Sequence, residues 1–207
     1  FSAVYSKADY FEHNCHHQGI FSLTDEAQWE GFLERRRSAV LLTGCDITDR
    51  SKGQRRAFEI GCLEGYFVKH LQDFGWKAEG LELNAAVATA AAESLGITIH
   101  PIGVDDWQPP VNRYDLGCSF HTFEHLRDPR DALSRTHAAL KPGGRVLIEV
   151  PYDLDELDNP DHLHYYTFES AERMVCDVFG NAETRDDQYR RATGKAVGSL
   201  YVFATKS

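Results

Sequence analysis

The feature that most constrains this chain is a turn. Phe58-Glu59-Ile60-Gly61-Cys62-Leu63-Glu64-Gly65-Tyr66 runs from a short apolar stretch into two closely spaced glycines and then into a helix-like segment. A buried strand handing over to a helix in this way belongs to open α/β sheets, where ligands sit beyond the carboxyl ends of the strands. Glycine lets the backbone come close to a ligand, and the N–H groups of the helix start point outward.

The rest of the chain repeats the alternation. Apolar runs near 57–60, 78–82, 98–102, 115–120 and 145–150 are expected as strands, separated by helices near 65–74, 85–95, 129–140 and 168–179. Lys141-Pro142-Gly143-Gly144 and Gly180 are stop signals for the last two helices. Runs near 183–189 and 200–205 are expected as terminal strands, the last antiparallel if they form a hairpin. The expected fold is α/β: a Rossmann-like, seven-stranded, mostly parallel sheet with an antiparallel last strand and helices on both faces.

Residues 1–50 read as an N-terminal lid and helix of the same domain, with 51–207 as the ligand-binding core. The helix is expected to begin near Thr24 as N-cap, with Trp29, Phe32 and Leu33 on one side and Glu30, Glu34 and Arg37 on the other. Asp46 to Arg56 reads as a surface connection. The aromatic and His-rich opening supplies Tyr5, Tyr10 and Phe11 as a possible cover.

A length of 207 residues suits one such domain. The net charge of -10, with basic residues clustered only at Arg35-Arg36-Arg37 and Arg55-Arg56, disfavours an extended phosphate-binding surface. The expected partner is a small-molecule acceptor, without nucleic acid or membrane. No apolar stretch is long enough to cross a bilayer and no signal segment opens the chain, so a cytoplasmic setting is expected. The sequence begins on Phe1 instead of Met, which leads us to expect missing leading residues. Cys15, Cys45, Cys62, Cys118 and Cys176 are scattered without a CxxC pair, so neither a disulfide framework nor a zinc cage is expected. His13, Cys15, His16 and His17 lack a second half at zinc spacing and read as lid.

A dinucleotide site would want glycine at 61, 63 and 66; Leu63 and Tyr66 depart, which favours a ligand without a pyrophosphate. Glu82, in Gly80-Leu81-Glu82-Leu83-Asn84, stands about twenty residues beyond Gly61, where an acid can accept from ribose hydroxyls. The alternative is a surface acid capping the next helix. In Val104-Asp105-Asp106-Trp107 a carboxylate can accept from an exocyclic amine while an apolar neighbour covers a purine; solvated turn acids are the alternative.

Two further stretches carry a resemblance. Tyr114-Asp115-Leu116-Gly117-Cys118-Ser119-Phe120-His121-Thr122-Phe123-Glu124-His125-Leu126 and His137-Ala138-Ala139-Leu140-Lys141-Pro142-Gly143-Gly144-Arg145-Val146-Leu147-Ile148-Glu149-Val150-Pro151 resemble class I S-adenosylmethionine-dependent methyltransferases, in the broad group with ubiquinone-biosynthesis and sugar O-methyltransferases. The resemblance covers about residues 56–180. It implies S-adenosylmethionine as cofactor. Glu59, Gly61, Cys62 and Gly65 would back its methionine part, Glu82 with Leu83 would meet the ribose, and Asp105 with Asp106 the adenine. Ser119, Phe120 and His121 would lie beneath the cofactor or face the reaction, and Tyr10 would close over it. Leu63-Glu64 departs from the family, which usually has Gly and a small residue there.

Methyl transfer from a sulfonium is an in-line displacement, so alignment and exclusion of water are the protein's main tasks. A hydroxyl acceptor would gain from a base, and histidine is poised for that near neutrality. His125 and then His164 are the catalytic candidates, ahead of His121 and His162. The acidic segment after the fifth strand, through Asp153, Asp155, Glu156, Asp158 and Asp161, suggests a polar acceptor such as a sugar or natural product. Glu124 with His125 could instead bind a divalent metal, as in some quinone-ring methyltransferases, but an acid at a helix start is expected anyway and no metal is called for. Two other readings stay open: a methyltransferase-like scaffold that has lost turnover, and a nicotinamide-dependent oxidoreductase.

Overall fold

The computed structural model describes residues 26–152, 159–186 and 198–207. The expected lid residues, Tyr10 and the His13-to-His17 cluster among them, lie outside the described residues, as do Thr24 and the acids Asp153, Asp155, Glu156 and Asp158.

Seven strands form one sheet: β1 (Arg56–Ile60), β2 (Lys77–Leu81), β3 (Thr98–His100), β4 (Tyr114–Phe120), β5 (Leu140–Pro151), β6 (Glu183–Asp186) and β7 (Ser199–Thr205). Their order is β3-β2-β1-β4-β5-β7-β6, and only β7 runs against its neighbours. Among the described residues five α-helices accompany them: α1 (Glu26–Leu42), α2 (Tyr66–Asp73), α3 (Ala85–Leu95), α4 (Pro129–Ala139) and α5 (Phe168–Phe179). The expected α/β, mostly parallel sheet with an antiparallel last strand is the observed one.

Strand alternation sorts the core into two layers. Phe58 and Ile60 of β1 face a cluster that includes Leu133 of α4 and Met174, Val175 and Phe179 of α5. Ala57 faces the other cluster, with Val40 of α1, Phe67 and Leu71 of α2, and Ala88 and Ala91 of α3. Glu59 is on that second face and is fully buried. Helices therefore cover both sides, as parallel strands buried on two faces require.

Three boundaries differ from expectation for identifiable reasons. β3 stops at His100 because Pro101 has no N–H to donate to a ladder. The Lys141-Pro142-Gly143-Gly144 stop does end α4, yet β5 already begins at Leu140, which pairs with Tyr114 across a register shift. The chain end ties that segment down: the Gly143 N–H donates to Lys206 O and the Lys206 N–H to Gly144 O, both at 2.8 Å. The 46–56 connection is not purely surface: Ile47 is buried, and its carbonyl accepts from the Trp76 indole N–H at 2.9 Å.

Candidate active site

The turn after β1 combines three left-handed residues: Gly61 (φ +70), Leu63 (φ +49) and Gly65 (φ +70). Leu63 thus adopts a left-handed backbone, which glycine would take without strain. Strand β2 holds the turn. The Gly61 and Cys62 N–H groups donate to Leu81 O at 2.9 and 3.0 Å, and the Leu63 N–H donates to Glu82 Oε2 at 3.0 Å. A Cβ at Gly61 would collide with the Thr122 side chain, so the loop lies directly against the end of β4. Gly65 caps α2 with no side-chain acceptor for the first N–H groups of the helix.

Glu82 is 5% exposed, which removes the surface-acid alternative. Its Oε1 accepts the Asn84 N–H at 2.8 Å, and it is Asn84 Oδ1 that caps α3 by accepting from Ala86 and Val87. Burial raises the Glu82 carboxyl, and the backbone donors oppose that rise. Each carboxylate oxygen retains a second lone pair, so the residue can hold the loop and still accept from a hydroxyl. Burial and the nearby Glu82 also push half-buried Glu64 up to about 7.

Leu83 is 37% exposed beside Gly103, and Asp105 and Asp106 are exposed on the short helical turn Val104–Asp106 after β3. Trp107 is not a purine cover: it is buried in the core, 4.9 Å from the Phe58 ring. Cys62 is buried with Sγ beside Gly80, and burial holds its thiol well above the usual range, so it serves packing. The four described cysteines are free thiols. Ser119 Oγ donates to Ile60 O at 3.3 Å, tying β4 to β1, and Phe120 packs its ring 5.3 Å from Phe67.

Sequence reasoning missed Arg36. Its guanidinium donates to Glu59 Oε1 at 2.6 Å and lies over the rings of Phe32 and Phe120, 4.2 Å from each centroid. Burial nonetheless pushes Glu59 up to about 7. The signal was present: Leu33, Arg36 and Val40 share a helix face, so Arg36 occupies a core-facing position.

On the other side of the turn, His121 (φ +50) sits between two buried carboxylates. Its Nε2 is 3.2 Å from Glu149 Oε1 and 3.3 Å from Ser199 Oγ, and its Nδ1 is 3.6 Å from Glu124 Oε1. Against the cost of burial, these carboxylates push His121 up to about 10, while the imidazolium brings buried Glu149 down to about 2. His121 is therefore a fixed cation at neutral pH, unsuited to accept a proton.

His125 and His164 differ from it. His125 Nδ1–H donates to Asp161 O at 2.9 Å, which makes Nε2 the basic nitrogen, and His164 Nε2–H donates to Leu126 O at 2.8 Å. Glu124 O accepts from the Leu163 and His164 N–H groups, so the segments after β4 and β5 are stitched together. Glu124, His125 and His162 also bring potential metal-ligating atoms within 4.8 Å of one another, and Glu124 Oε2 is buried with no hydrogen-bond partner. His162 is engaged otherwise: Asn159 Oδ1 accepts the Asp161 N–H, turning Nδ2 toward His162 Nε2 at 3.1 Å. That nitrogen is then an acceptor and Nδ1 carries the proton, leaving no lone pair for an ion in this arrangement.

Residues 32–183 match the family model described as methyltransferase domain. Among curated proteins, the chain is 28% identical over 127 residues to a ribosomal RNA small subunit methyltransferase C of Alcanivorax borkumensis, covering 56% of this chain and 39% of that protein. It is 30% identical over 102 residues to a malonyl-[acyl-carrier protein] O-methyltransferase of the same organism, covering 46% and 34%. The chain thus spans little more than a third of these relatives. A solved Burkholderia thailandensis 1,6-didemethyltoxoflavin-N1-methyltransferase, with its namesake compound and S-adenosylhomocysteine bound, superposes with a TM-score of 0.68 over 100% of this chain and 88% of its own, at 18% identity. At that identity the match speaks for the fold. The relatives' names span nucleic-acid and protein-bound acceptors, so the expectation that nucleic acid is excluded gains no support from them. Among the described residues no helix is long and apolar enough to cross a membrane.

Proposed function

Because the chain belongs to the methyltransferase-domain family, in the class that uses S-adenosylmethionine, we propose that it methylates a small hydroxylated acceptor, a sugar or natural product, at oxygen. The observation that carries this is the left-handed turn Gly61–Leu63–Gly65 held by buried Glu82. Its conformation keeps the backbone of the first β-to-α connection open for a ligand, and Glu82 retains acceptor capacity toward a ribose. The cofactor, when bound, supplies a methyl group activated on a sulfonium.

The chain's own residues divide the remaining work. Glu59, Gly61, Cys62, Gly65, Glu82 and Leu83 form the bed for the cofactor, with Asp105 and Asp106 at its adenine end and Ser119, Phe120 and His121 beneath it. Tyr10 is assigned to the cover. His125 is the first choice as base, because a carbonyl fixes its Nδ1–H and so directs basicity to Nε2; His164 is the second. The acceptor's polarity is read from the acidic segment that follows β5, of which Asp161 lies among the described residues. The net charge of -10 favours a small acceptor over RNA, and a cytoplasmic setting goes with the reading.

The test is calorimetric titration with S-adenosylhomocysteine, followed by a labelled-methyl assay over sugars, phenols, amines and RNA. Binding with label transfer to a hydroxyl compound is expected. No binding removes the reading; transfer to an amine or to RNA replaces its acceptor; binding without transfer to any class favours a scaffold role.

A further inference from the structure

Glu124 carries a buried carboxylate oxygen that no group among the described residues meets. The residue is 1% exposed, on the short helical turn Phe123–His125 at the carboxyl end of β4, and its Oε2 has no hydrogen-bond partner. The other oxygen is crowded: Oε1 lies 3.6 Å from His121 Nδ1 and 3.7 Å from His125 Nε2. Neighbouring hydroxyls are committed elsewhere. Tyr166, whose phenol is pushed up by burial and then by the Glu124 charge, donates to Phe123 O at 3.2 Å, and Ser199 Oγ stands on the Nε2 side of His121.

Charge points the same way. Glu124 and Glu149 are each 1% exposed, and a single imidazolium, His121, lies between them. Two carboxylates against one fixed cation leave an excess negative charge in a desolvated place, which opposes folding unless a further cation meets it. Arg35 also favours ionised Glu149, but it is exposed, so water and salt screen it. A water at Oε2 would supply a hydrogen bond and leave the charge. The rings on either side of the carboxylate reach the surface, His121 at 28% and His125 at 12% exposure, so a ligand can approach between them. A divalent ion is a poor occupant because His162 is engaged by Asn159. An organic ammonium needs only the carboxylate oxygen, to which it donates a charge-assisted hydrogen bond.

Building on the reading that the chain methylates a hydroxyl with His125 as base, we propose that Glu124 Oε2 holds an ammonium group of the acceptor, which makes the acceptor class an amino alcohol, amino sugars among them. Anchor and base are consecutive residues, and the 3.7 Å between Glu124 Oε1 and His125 Nε2 sets the ligand's scale: its hydroxyl and ammonium stand on neighbouring carbons. The ammonium is the anchor and not the methylated atom, because a protonated nitrogen has no lone pair with which to attack.

Calorimetry on the protein saturated with S-adenosylhomocysteine tests this with matched pairs, at a pH where the amines are protonated: trans-2-aminocyclohexanol against trans-cyclohexane-1,2-diol, and D-glucosamine against D-glucose. Each amino compound is expected to bind at least about tenfold more tightly than its hydroxyl counterpart, as a hydrogen bond between charged groups warrants. Glu124→Gln keeps the shape and removes the charge, so the preference should fall to under about threefold. Should that variant not fold, Glu149→Gln decides: it removes the excess charge without touching the anchor, and the preference should shrink there too. No preference in the unmutated protein, binding of none of the four compounds, or a preference undiminished in the variant that folds overturns the inference, as does methyl label found on the nitrogen. The first three leave the cofactor reading standing. If the unmutated protein does not bind S-adenosylhomocysteine, it is that reading which fails, and the inference with it.

Discussion

Glu82 accepts the backbone N–H of Leu63, at 3.0 Å, across the gap between the second strand and the first turn. Leu63 is the residue that departs from a glycine pattern, and its φ of +49 lies in the left-handed region that side chains disfavour. The carboxylate fixes the amide of a strained residue, so the loop's shape is set by a partner instead of by an extra glycine.

Substitution at 63 should therefore follow backbone freedom more than apolar volume. Leu63→Val, whose β-branch crowds a left-handed backbone, is expected to destabilise by about 1–2 kcal/mol, whereas Leu63→Gly should stay within about 1 kcal/mol of the parent. Urea denaturation of the two variants checks this. If glycine is the more damaging, packing by the Leu63 side chain outweighs strain.

Glu82→Gln keeps the shape and replaces one acceptor with an NH2 group. Both carboxylate oxygens are in use, toward Leu63 and Asn84, so whichever end becomes the NH2 faces an N–H donor. A cost of about 1–3 kcal/mol in stability is expected from the buried unmatched donor. Affinity for S-adenosylhomocysteine should fall in parallel. Thermal melts and calorimetry read the two effects, and unchanged values in both would show that Glu82 neither holds the loop nor meets the ligand.

The sequence made the scaffold legible because strand and helix periods, glycine stops and the Leu140-to-Gly144 stretch all pointed to one architecture. Glu82 was legible for a local reason, an acid at the end of a strand at a characteristic distance from the turn. Arg36 was not, since in a run of three arginines it counts only as part of a basic cluster until the neighbouring helix face and the buried Glu59 are seen together. Which apolar neighbour of Asp105 and Asp106 faces a ligand was not legible, because a large aromatic after a strand, such as Trp107, has no sequence mark separating a ligand cover from a core filler. The sequence ranks His125 and then His164 ahead of His121; the physical ground for separating them lies in which carbonyl or carboxylate each ring nitrogen meets.

The His121–Glu149 pair gives stability a pH signature. His121 is raised from 6.5 to about 10 on folding, so its contribution is complete below about 6.5 and is lost as pH rises through 10. Glu149 is lowered from 4.5 to about 2, so its contribution is complete above about 4.5 and is lost as pH falls through 2. The pair should stabilise most between those limits, near pH 5 to 6. Melting temperatures of His121→Gln, compared with the parent from pH 6 to 10, should show a gap that narrows toward alkaline pH. A constant gap would mean that the ring contributes by shape and not by charge.

Divalent metal should be dispensable, although Glu124, His125 and His162 converge closely enough to suggest a site. An ion needs an unprotonated ring nitrogen from each histidine. His125 can offer Nε2, because its Nδ1–H is committed to Asp161 O. His162 cannot do the same while Asn159 donates to its Nε2 and Nδ1 carries the proton, and the Asn159 amide is held in that orientation by the Asp161 N–H. Dialysis against EDTA is therefore expected to leave the melting temperature and S-adenosylhomocysteine affinity unchanged, and added zinc or manganese should not raise the melting temperature. A bound ion would stabilise by mass action, about 2.7 kcal/mol at a hundredfold excess over its Kd, which a melt detects readily. A rise with metal that disappears in His162→Gln would show that Asn159 lets go of the ring and that the three residues form a coordination site.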